Sequence, residues 1–290
     1  MTASWSIVIH GGADATPGRD YAHVERDMME VIAAAADALQ RGDHALDVAQ
    51  QAVAALESSG YYIAGKGSSP NQDGIWELDA ALMEGATRRA GAVSALEGFI
   101  SPIAVARDVM ETTPHVLLAG RGAAKLARAK GHAEVGDPEA YYDPAVKEAL
   151  PPNAAGHGTV GAAVLDTYGH LAAATSTGGL LNKTPGRVGD SPIIGAGTWA
   201  DGHVAVSCTG EGEYFLRAAA AASVAARVQY GGEGVVSAAE AVIGEVGALG
   251  GKGGLIAVDA SGQVATPYNS KGLKRATATS DGRRDVRIFD

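Results

Sequence analysis

Three threonines stand beside glycines at the ends of short apolar runs, where a hydroxyl group could do chemistry. Thr159 lies in HGTVGAAVLD, Thr177 in TSTGG and Thr209 in SCTGEGE. Strand ends are where a rigid scaffold presents side chains to a site. A lone threonine beside glycine is most often an ordinary strand residue, because threonine favours strands. Three in one chain, with an exposed segment leading to the first, shift the balance modestly toward a shared site.

A threonine hydroxyl is a weak nucleophile at neutral pH unless a base takes its proton. The sequence shows no Ser–His–Asp ordering, and its histidines are scattered. The threonine's own α-amino group is a base with an ordinary pKa of about 8, but it exists only if the chain is cut between Gly158 and Thr159. The residue types leave two interpretations open, an N-terminal nucleophile and a plain strand residue.

The segment before Thr159 differs in composition from the rest of the chain. Residues 131–158 hold four prolines and many charges, so we predict an exposed linker there. An exposed segment that leads into a threonine at the start of a strand is the arrangement that a self-cleaving precursor needs.

The stretch NKTPGRVGDSP places Arg187 and Asp190 three residues apart in a loop rich in glycine and proline. Such a pair can bind an amino acid, because guanidinium holds a carboxylate through forked hydrogen bonds and aspartate accepts from an ammonium group. The same residues can form a surface ion pair, which contributes little to stability. Taken alone, the pattern slightly favours the surface pair.

Other reactive side chains are interpreted as structural. We expect His10 in VIHGGA to be buried and bonded to a loop carbonyl, and Cys208 to be a small core residue. A single cysteine excludes an internal disulfide framework and a cysteine-cluster metal site. The GGKGG stretch around Lys252 lacks the spacing of a phosphate-binding loop.

The predicted elements around these residues alternate between helices and hairpins. Helices are predicted before Gly42 and Gly60, at PIAVARDVMETT, FLRAAAAASVAARVQ and SAAEAVIGEVGAL. Strands are predicted at SIVIH, WELDAALMEG, RAGAVSALEG and HVAVSCTG, and in the hairpins TVGAAVLDTYGHLAAATST and GGLIAVDASGQVATPYN. This order is typical of antiparallel sheets covered by helices rather than of regular β-α-β repeats.

The composition bounds the class of protein. The 290 residues are 46% apolar and 19% charged, enough for a full core. The net charge of −10 argues against a nucleic-acid or anionic-membrane partner. The N-terminus lacks the features of a signal peptide, and no apolar run reaches the ~18 residues of a membrane span. We therefore expect a soluble cytoplasmic protein.

Seven stretches together resemble the plant-type asparaginase/isoaspartyl peptidase family of N-terminal-nucleophile (Ntn) hydrolases. They are IHGGA, HVLLAG, HGTVGAAVLD, AAATSTGG, NKTPGRVGDSPIIGAG, SCTGEGE and GGLIAVD. The likeness runs from about Ile7 to about Ala276, and HGTVG, TSTGG and PGRVGDSP in that order are more specific than any single motif. The resemblance implies an α+β fold, a four-layer αββα sandwich of Ntn-hydrolase type with two mainly antiparallel sheets between helix layers.

The resemblance also implies a precursor that cuts itself. The single domain, residues 1–290, would give an α subunit of residues 1–158 and a β subunit of residues 159–290, usually in an (αβ)2 dimer. No cofactor would be required. A structural Na+ would be held by backbone carbonyls between Leu56 and Lys66, where no side-chain signature exists.

Catalytic roles carried over by position fall on four residues. Thr159 matches the nucleophile, with its freed amine as general base, and Gly158–Thr159 matches the cleavage site. Thr177 matches the threonine that hydrogen-bonds to the nucleophile. Thr209 and the Gly210 amide match the oxyanion hole.

Substrate-binding roles fall on the following loop and on the next helix. Arg187 matches the ligand of the substrate α-carboxylate, while Asp190 and Gly212 match the ligands of its α-amine, beside Gly210. The implied activity is hydrolysis of β-aspartyl (isoaspartyl) dipeptides and of the side-chain amide of L-asparagine.

Two positions depart from the family pattern. Ile63 in YYIAGKG stands where the family has an asparagine close to the active site, and Asp14 in HGGAD stands where it has a glycine. Ile63 leaves open an uncleaved, non-catalytic homologue that binds amino acids. A glycosylasparaginase-like amidase is a second alternative, but that branch favours HDTIG over the HGTVG found here.

Overall fold

A computed structural model of the chain describes residues 4–13, 15–142 and 158–290. The α-helices are α1 (Ala22–Arg41), α2 (Ala45–Ser59), α3 (Pro102–Thr112), α4 (Gly120–Ala129), α5 (Pro138–Tyr141), α6 (Gly212–Ala218), α7 (Ala220–Gly231) and α8 (Val235–Ala248). The strands are β1 (Ser6–His10), β2 (Leu78–Glu84), β3 (Ala90–Leu96), β4 (Leu117–Ala119), β5 (Val160–Leu165), β6 (Leu171–Thr177), β7 (Thr198–Ala200), β8 (Val204–Gly210), β9 (Gly253–Asp259), β10 (Val264–Ala265), β11 (Arg275–Thr279) and β12 (Arg284–Arg287).

The strands form two sheets. The larger has the order β12-β11-β1-β5-β6-β2-β3-β4, and the smaller has the order β10-β9-β8-β7. Neighbouring strands are antiparallel except for the parallel pair of β3 and β4. The mainly antiparallel arrangement predicted from the sequence is therefore confirmed.

Helices cover the outer face of each sheet. Helices α1 to α4 bury their apolar sides with the larger sheet in one core, and α7 and α8 do so with the smaller sheet in another. A third core lies between the sheets and is built from small and branched residues such as Ala163, Ala205 and Val258. These layers confirm the αββα sandwich.

The direction of the strands brings two of the three threonines to one end of the sandwich. Gly85 packs between the carbonyls of Leu171, at the start of β6, and Asp201, just before β8. Farther along, the Thr175 and Ser207 hydroxyls are 2.7 Å apart across the sheets. Strands β6 and β8 therefore run in the same direction, and their C-terminal ends meet at one edge.

The Ala-rich stretch predicted as one helix is divided into α6 and α7, so that prediction was wrong. Ala219 adopts a left-handed conformation with φ of 45°. The amides of Ala221 and Ala222 donate to the carbonyls of Ala196 and Gly195 instead of continuing α6. Tertiary hydrogen bonds outweigh the high helix propensity of alanine at this point.

Part of the predicted linker, residues 143–157, lies outside the described residues, as does Asp14. In the described part, residues 131–141 are mostly exposed but include α5, and Tyr142 is buried with its hydroxyl donating to the Phe99 carbonyl at 2.9 Å. Tyr142 also stacks on Trp76. Within the described ranges, none of the helices is long and apolar enough to cross a membrane.

Candidate active site

Thr159 and Thr177 lie side by side at the edge of the larger sheet. Val160 pairs with Ser176, so the residue before β5 stands opposite the last residue of β6. The Thr159 hydroxyl is 3.4 Å from the Thr177 hydroxyl, and both side chains are buried. The sequence prediction that Thr159 begins a strand is correct to within one residue.

The Thr177 hydroxyl binds the peptide bond that precedes Thr159. It donates to the Gly158 carbonyl at 2.8 Å and accepts from the Gly179 amide at 3.0 Å. A hydroxyl that donates to a carbonyl draws electron density toward the oxygen and makes the carbon more electrophilic. Thr177 therefore contacts both the nucleophile candidate and the carbonyl beside it.

Ile63 packs directly against Gly158. A Cβ atom on Gly158 would lie 2.7 Å from both Cβ and Cγ1 of Ile63, so only glycine fits. The Ile63 carbonyl accepts from the Gly178 amide at 2.9 Å. This departure from the family pattern thus lies against the predicted cleavage point.

Thr209 approaches the same edge from the smaller sheet. Gly161 of β5 faces the Ser207 hydroxyl of β8 across the space between the sheets. Thr159 lies two residues before Gly161, and Thr209 lies two residues after Ser207. Both threonines therefore face the space between the sheets, nearer to the same edge. The Thr209 hydroxyl is buried and has no hydrogen-bond partner among the described residues. Gly210 has φ of 141°, and an added Cβ would lie 2.4 Å from the Lys252 carbonyl oxygen, so glycine is required there.

Arg187, Asp190 and Gly212 converge beside this edge. A Cβ on Gly212 would lie 2.7 Å from Asp190 Oδ1 and 3.1 Å from the Arg187 guanidinium. The ion pair expected between Arg187 and Asp190 is absent from the pairs found in the described residues, because Arg187 instead donates both arms of its fork to Glu213, at 2.8 and 2.9 Å. Arg187 is therefore already aligned for a planar carboxylate.

The Asp190 carboxylate is buried and incompletely paired. Burial raises its pKa to about 7, although the charge of Arg187 acts in the opposite direction. Its Oδ2 atom has no hydrogen-bond partner among the described residues. A buried carboxylate oxygen without a donor is costly to the free protein and suits a cationic ligand.

His10 is a site residue whose connection the sequence did not reveal. It is buried and bonded to a backbone carbonyl, as predicted, but the carbonyl is that of Thr159, at 3.1 Å from Nδ1. Its Nε2 faces the Ser207 hydroxyl at 2.9 Å, so Nδ1 carries the proton and Nε2 accepts. Burial lowers the pKa of His10 to about 3, which keeps the ring neutral.

A buried charge cluster that the sequence analysis missed holds the loop that carries Arg187 and Asp190. Lys183 donates to the Glu77 carbonyl at 2.8 Å, while the Glu77 carboxylate accepts from Asn71 and from the Gly186 amide. Asp79, paired with Thr177 across β2 and β6, lies near Lys183, and burial raises its pKa to about 6. The spacing of two acidic residues in WELDAAL was the available signal, but alternation predicts only that they share a face.

The loop from Leu56 to Lys66 carries carbonyl oxygens that face glycines. A Cβ on Gly67 would lie 2.0 Å from the Tyr62 oxygen and 2.9 Å from that of Gly60, and one on Gly65 would lie 2.5 Å from the Glu57 oxygen. Hard cations prefer such oxygen ligands. The distances show that the loop is tightly packed around Gly65 and Gly67, and the Na+ site stays a prediction.

The arrangement combines the parts that acyl transfer needs. The Thr159 hydroxyl lies next to the Gly158 carbonyl, and the Thr209 hydroxyl on the facing sheet is an unpaired donor. Arg187 and Asp190 carry the opposite charges that could bind the carboxylate and ammonium groups of an α-amino acid. The three threonines and the binding loop come from both sheets, which explains why they are distant in sequence.

Comparisons with known proteins agree with the fold. The model of the family described as "Asparaginase" matches residues 3–153 and 136–288. The chain is 45% identical to "Isoaspartyl peptidase" of Salmonella typhimurium, over 93% of this chain and 94% of the relative. It is 43% identical to "Isoaspartyl peptidase" of Escherichia coli, over 93% and 91%, and 38% identical to "Isoaspartyl peptidase/L-asparaginase" of Homo sapiens, over 96% and 94%.

Proposed function

The chain belongs to the asparaginase family of amidohydrolases, and from that premise we propose that it is a self-processing threonine hydrolase of β-aspartyl dipeptides and L-asparagine. The observation that carries the proposal is a pair of buried, unpartnered polar atoms at one edge, the Thr209 hydroxyl and the Asp190 carboxylate oxygen. One is a donor suited to an oxyanion, and the other is an acceptor suited to an ammonium group.

Processing begins in the intact chain. The Thr159 hydroxyl attacks the Gly158 carbonyl carbon, whose oxygen accepts a hydrogen bond from Thr177. The amide nitrogen of Thr159 leaves with a proton as the Gly158 acyl group passes to the hydroxyl oxygen. Water then hydrolyses this ester, which restores the hydroxyl and leaves Thr159 with a free α-amine.

Turnover uses the same hydroxyl with the new amine as its base. The amine takes the hydroxyl proton, the oxygen attacks the side-chain carbonyl of the substrate, and the oxyanion accepts from Thr209 and the Gly210 amide. Ammonia or a peptide amine leaves with the proton. Water then attacks the ester on Thr159 and releases L-aspartate.

The substrate's α-amino acid group selects the binding orientation. Its carboxylate would replace that of Glu213 as the acceptor of the two Arg187 hydrogen bonds, and its ammonium group would donate to Asp190 near Gly212. Both groups belong to every β-aspartyl compound, so this part of the site favours the class without ranking its members.

A Na+ ion and a second protomer complete the proposal. The ion would be held by backbone carbonyls between Leu56 and Lys66 and would fix the loop that carries Ile63. We expect a higher Tm in NaCl than in choline chloride.

An (αβ)2 dimer is supported by the exposed apolar residues Val116 and Leu117 at the β4 edge, and light scattering should give a mass near twice 29.2 kDa.

A substrate panel separates the alternatives. The purified, aged protein is incubated with β-aspartyl-leucine, L-asparagine and a glycosylated asparagine, with Thr159→Ala as the inactive control. Release of aspartate from the first two supports the proposal. Release from only the glycosylated compound indicates the glycosylasparaginase-like amidase, and binding of aspartate without turnover indicates the non-catalytic homologue that Ile63 left open.

A further inference from the structure

A second cluster of ligand-type side chains lies at the far end of the β5–β6 hairpin. We propose that His44, Asp166 and His170 bind a divalent transition-metal ion, with Zn2+ as the test ion. Asp166 directly follows β5 and His170 directly precedes β6, while His44 directly precedes α2. At the usual rise per residue, Asp166 is roughly 20 Å from Thr159 along the strand, so this cluster is separate from the hydrolase site.

The ligand atoms are close enough to share one ion. The Asp166 Oδ2 atom is 3.8 Å from His44 Nδ1 and 3.4 Å from His170 Nδ1, and all three ligand atoms lie within 4.8 Å of one another. Ligands around a tetrahedral Zn2+ ion, each about 2.0–2.1 Å from the metal, are about 3.3 Å apart. Small rotations of the two exposed imidazoles would bring their nitrogens to that separation.

Asp166 is held in place before any ion arrives. Its Oδ1 accepts from the Tyr168 and His170 amides, each at 2.9 Å, and its Oδ2 accepts from the Ala45 amide at 3.0 Å. Hydrogen bonds to a ligating carboxylate orient it for the metal. Because the imidazole nitrogens stand beyond ordinary hydrogen-bond distance from Oδ2, an ion can enter without breaking a direct bond between them.

The surroundings favour a cation with nitrogen ligands. The two imidazole rings are nearly parallel to each other, and each stacks near the Tyr168 ring. The nearby Arg107 is paired with Asp47 at 2.9 Å, so its charge is compensated.

Two imidazoles and one carboxylate suit Zn2+, Cu2+ or Ni2+ rather than Mg2+ or Ca2+. A water molecule from the adjoining cavity of about 350 Å3 would fill the fourth position.

Calorimetric titration of the chelator-treated, full-length protein with Zn2+ at pH 7.5 tests the site. We expect one ion per chain, with affinity weakened roughly 100-fold or more in His44→Ala and in His170→Ala, since loss of even an outer-shell partner costs about 10- to 100-fold. Zn2+ should raise the Tm of the wild type.

His203→Ala is the matched control. His203 is an exposed histidine in the β7–β8 turn, where its amide donates to Asp201 Oδ1 at 2.7 Å, much as the His170 amide donates to Asp166. This variant should bind Zn2+ like the wild type. Absence of Zn2+ binding, or binding that both histidine variants retain, would overturn the proposal. Since the histidines are exposed, unchanged metal-free Tm values will establish that the variants fold.

Discussion

At the scale of single residues, the proposed chemistry depends on atoms that the free protein leaves unpaired. Burying a polar atom without a hydrogen-bond partner costs stability. The Thr209 hydroxyl and one Asp190 carboxylate oxygen are both buried in this way. A ligand that supplies the missing partners recovers that cost on binding. This is the physical basis for assigning these residues to substrate and transition state rather than to the fold.

Thr209→Val removes the proposed oxyanion donor while keeping the shape of the side chain. We expect kcat for β-aspartyl-leucine to fall about 10²- to 10³-fold, with a Tm equal to or above that of the wild type, because an unpaired buried hydroxyl is removed. Thr209→Ser, which keeps the hydroxyl, should retain most of the activity. Equal kcat in the wild type and the Val variant would exclude the donor role.

Asp190 should give the activity a pH dependence of predictable sign. Its pKa in the free protein is about 7, so acidification through pH 7 neutralises the acceptor of the substrate ammonium group, and kcat/KM should fall. Asp190→Asn should raise KM roughly 10- to 100-fold at pH 8, the value of a hydrogen bond to a charged group, and should lose this limb of the profile. A variant that keeps the wild-type limb would assign it to another group, such as the Thr159 amine.

The sequence predicted the residue types of the site better than their partners. Thr159, Thr177 and Thr209 were identifiable because each stands at a strand end beside glycine. The Arg187–Glu213 pair was not, because nothing in the residue spacing distinguishes Glu213 from Asp190 as the partner. Which residues meet depends on loop geometry that a local pattern does not encode.

At the scale of elements, Ile63 packs closely against Gly158, and we expect this contact to set the position of the carbonyl at the predicted cleavage point. Gly158→Ala would set a methyl group 2.7 Å from Ile63 and displace the carbonyl from Thr177. A misplacement of about 1 Å can slow a reaction roughly 10²-fold, so processing should slow by that order when followed by gel electrophoresis over several days.

Gly136→Ala is the control for this change, because a Cβ at that position meets nothing within 4 Å. It introduces the same methyl group into the same predicted linker and should process at the wild-type rate. Equal rates for the two variants would show that the contact with Ile63 does not govern cleavage.

The buried Lys183 cluster is predicted to hold the loop that carries Arg187 and Asp190, the proposed substrate ligands. Lys183→Met leaves the carboxylates of Glu77 and Asp79 without their buried cation, a change that typically costs about 3–5 kcal/mol. Chemical denaturation should show this loss, together with a raised KM. Lys125→Met on the exposed side of α4 serves as control, and a loss no greater than that of the control would refute the role of Lys183.

Element boundaries followed from the sequence where local signals agreed. Gly42 and Gly60 end α1 and α2 in left-handed conformations, as glycines after amphipathic helices predict. The break at Ala219 was missed because its cause is tertiary, a pair of hydrogen bonds to residues 195 and 196. Propensity alone favours a continuous helix through the five consecutive alanines 218–222.

At the scale of the whole molecule, polar contacts join the two sheets. His10 of the larger sheet meets Ser207 of the smaller, and Ser207 meets Thr175 of the larger sheet again. Gly161 makes room for this chain, since a Cβ there would lie 2.0 Å from the Ser207 hydroxyl oxygen. The fold thereby links the backbone of Thr159 to the packing of the sandwich.

His10 should make stability fall in acid. Its folded pKa of about 3 lies below the ordinary 6.5, so between these values the unfolded chain binds a proton that the folded chain does not. Relative to His10→Gln, the wild type should lose about 2 kcal/mol of unfolding free energy between pH 6.5 and 5. His203→Gln, which changes an exposed histidine, is the control and should produce no such difference. If the unfolding free energies of the wild type and His10→Gln changed equally with pH, His10 would not have the lowered pKa.

The layered architecture was predictable from the order of elements and the resemblance, but the meeting of the sheets at one edge was not. That meeting depends on β6 and β8 running in the same direction, which the sequences of two short strands from different hairpins do not reveal. The Gly158–Thr159 bond, by contrast, was predicted as the cleavage site from the sequence.

The most direct test is the intact mass of the purified protein under denaturing conditions after several days at neutral pH. The proposed mechanism predicts two fragments that meet at Gly158–Thr159, with a free amine on Thr159, and a single uncut species for Thr159→Ala. An unbroken wild-type chain of 290 residues that nevertheless hydrolyses β-aspartyl-leucine would contradict the threonine-amine mechanism. An unbroken and inactive chain would reduce the protein to an amino-acid-binding homologue.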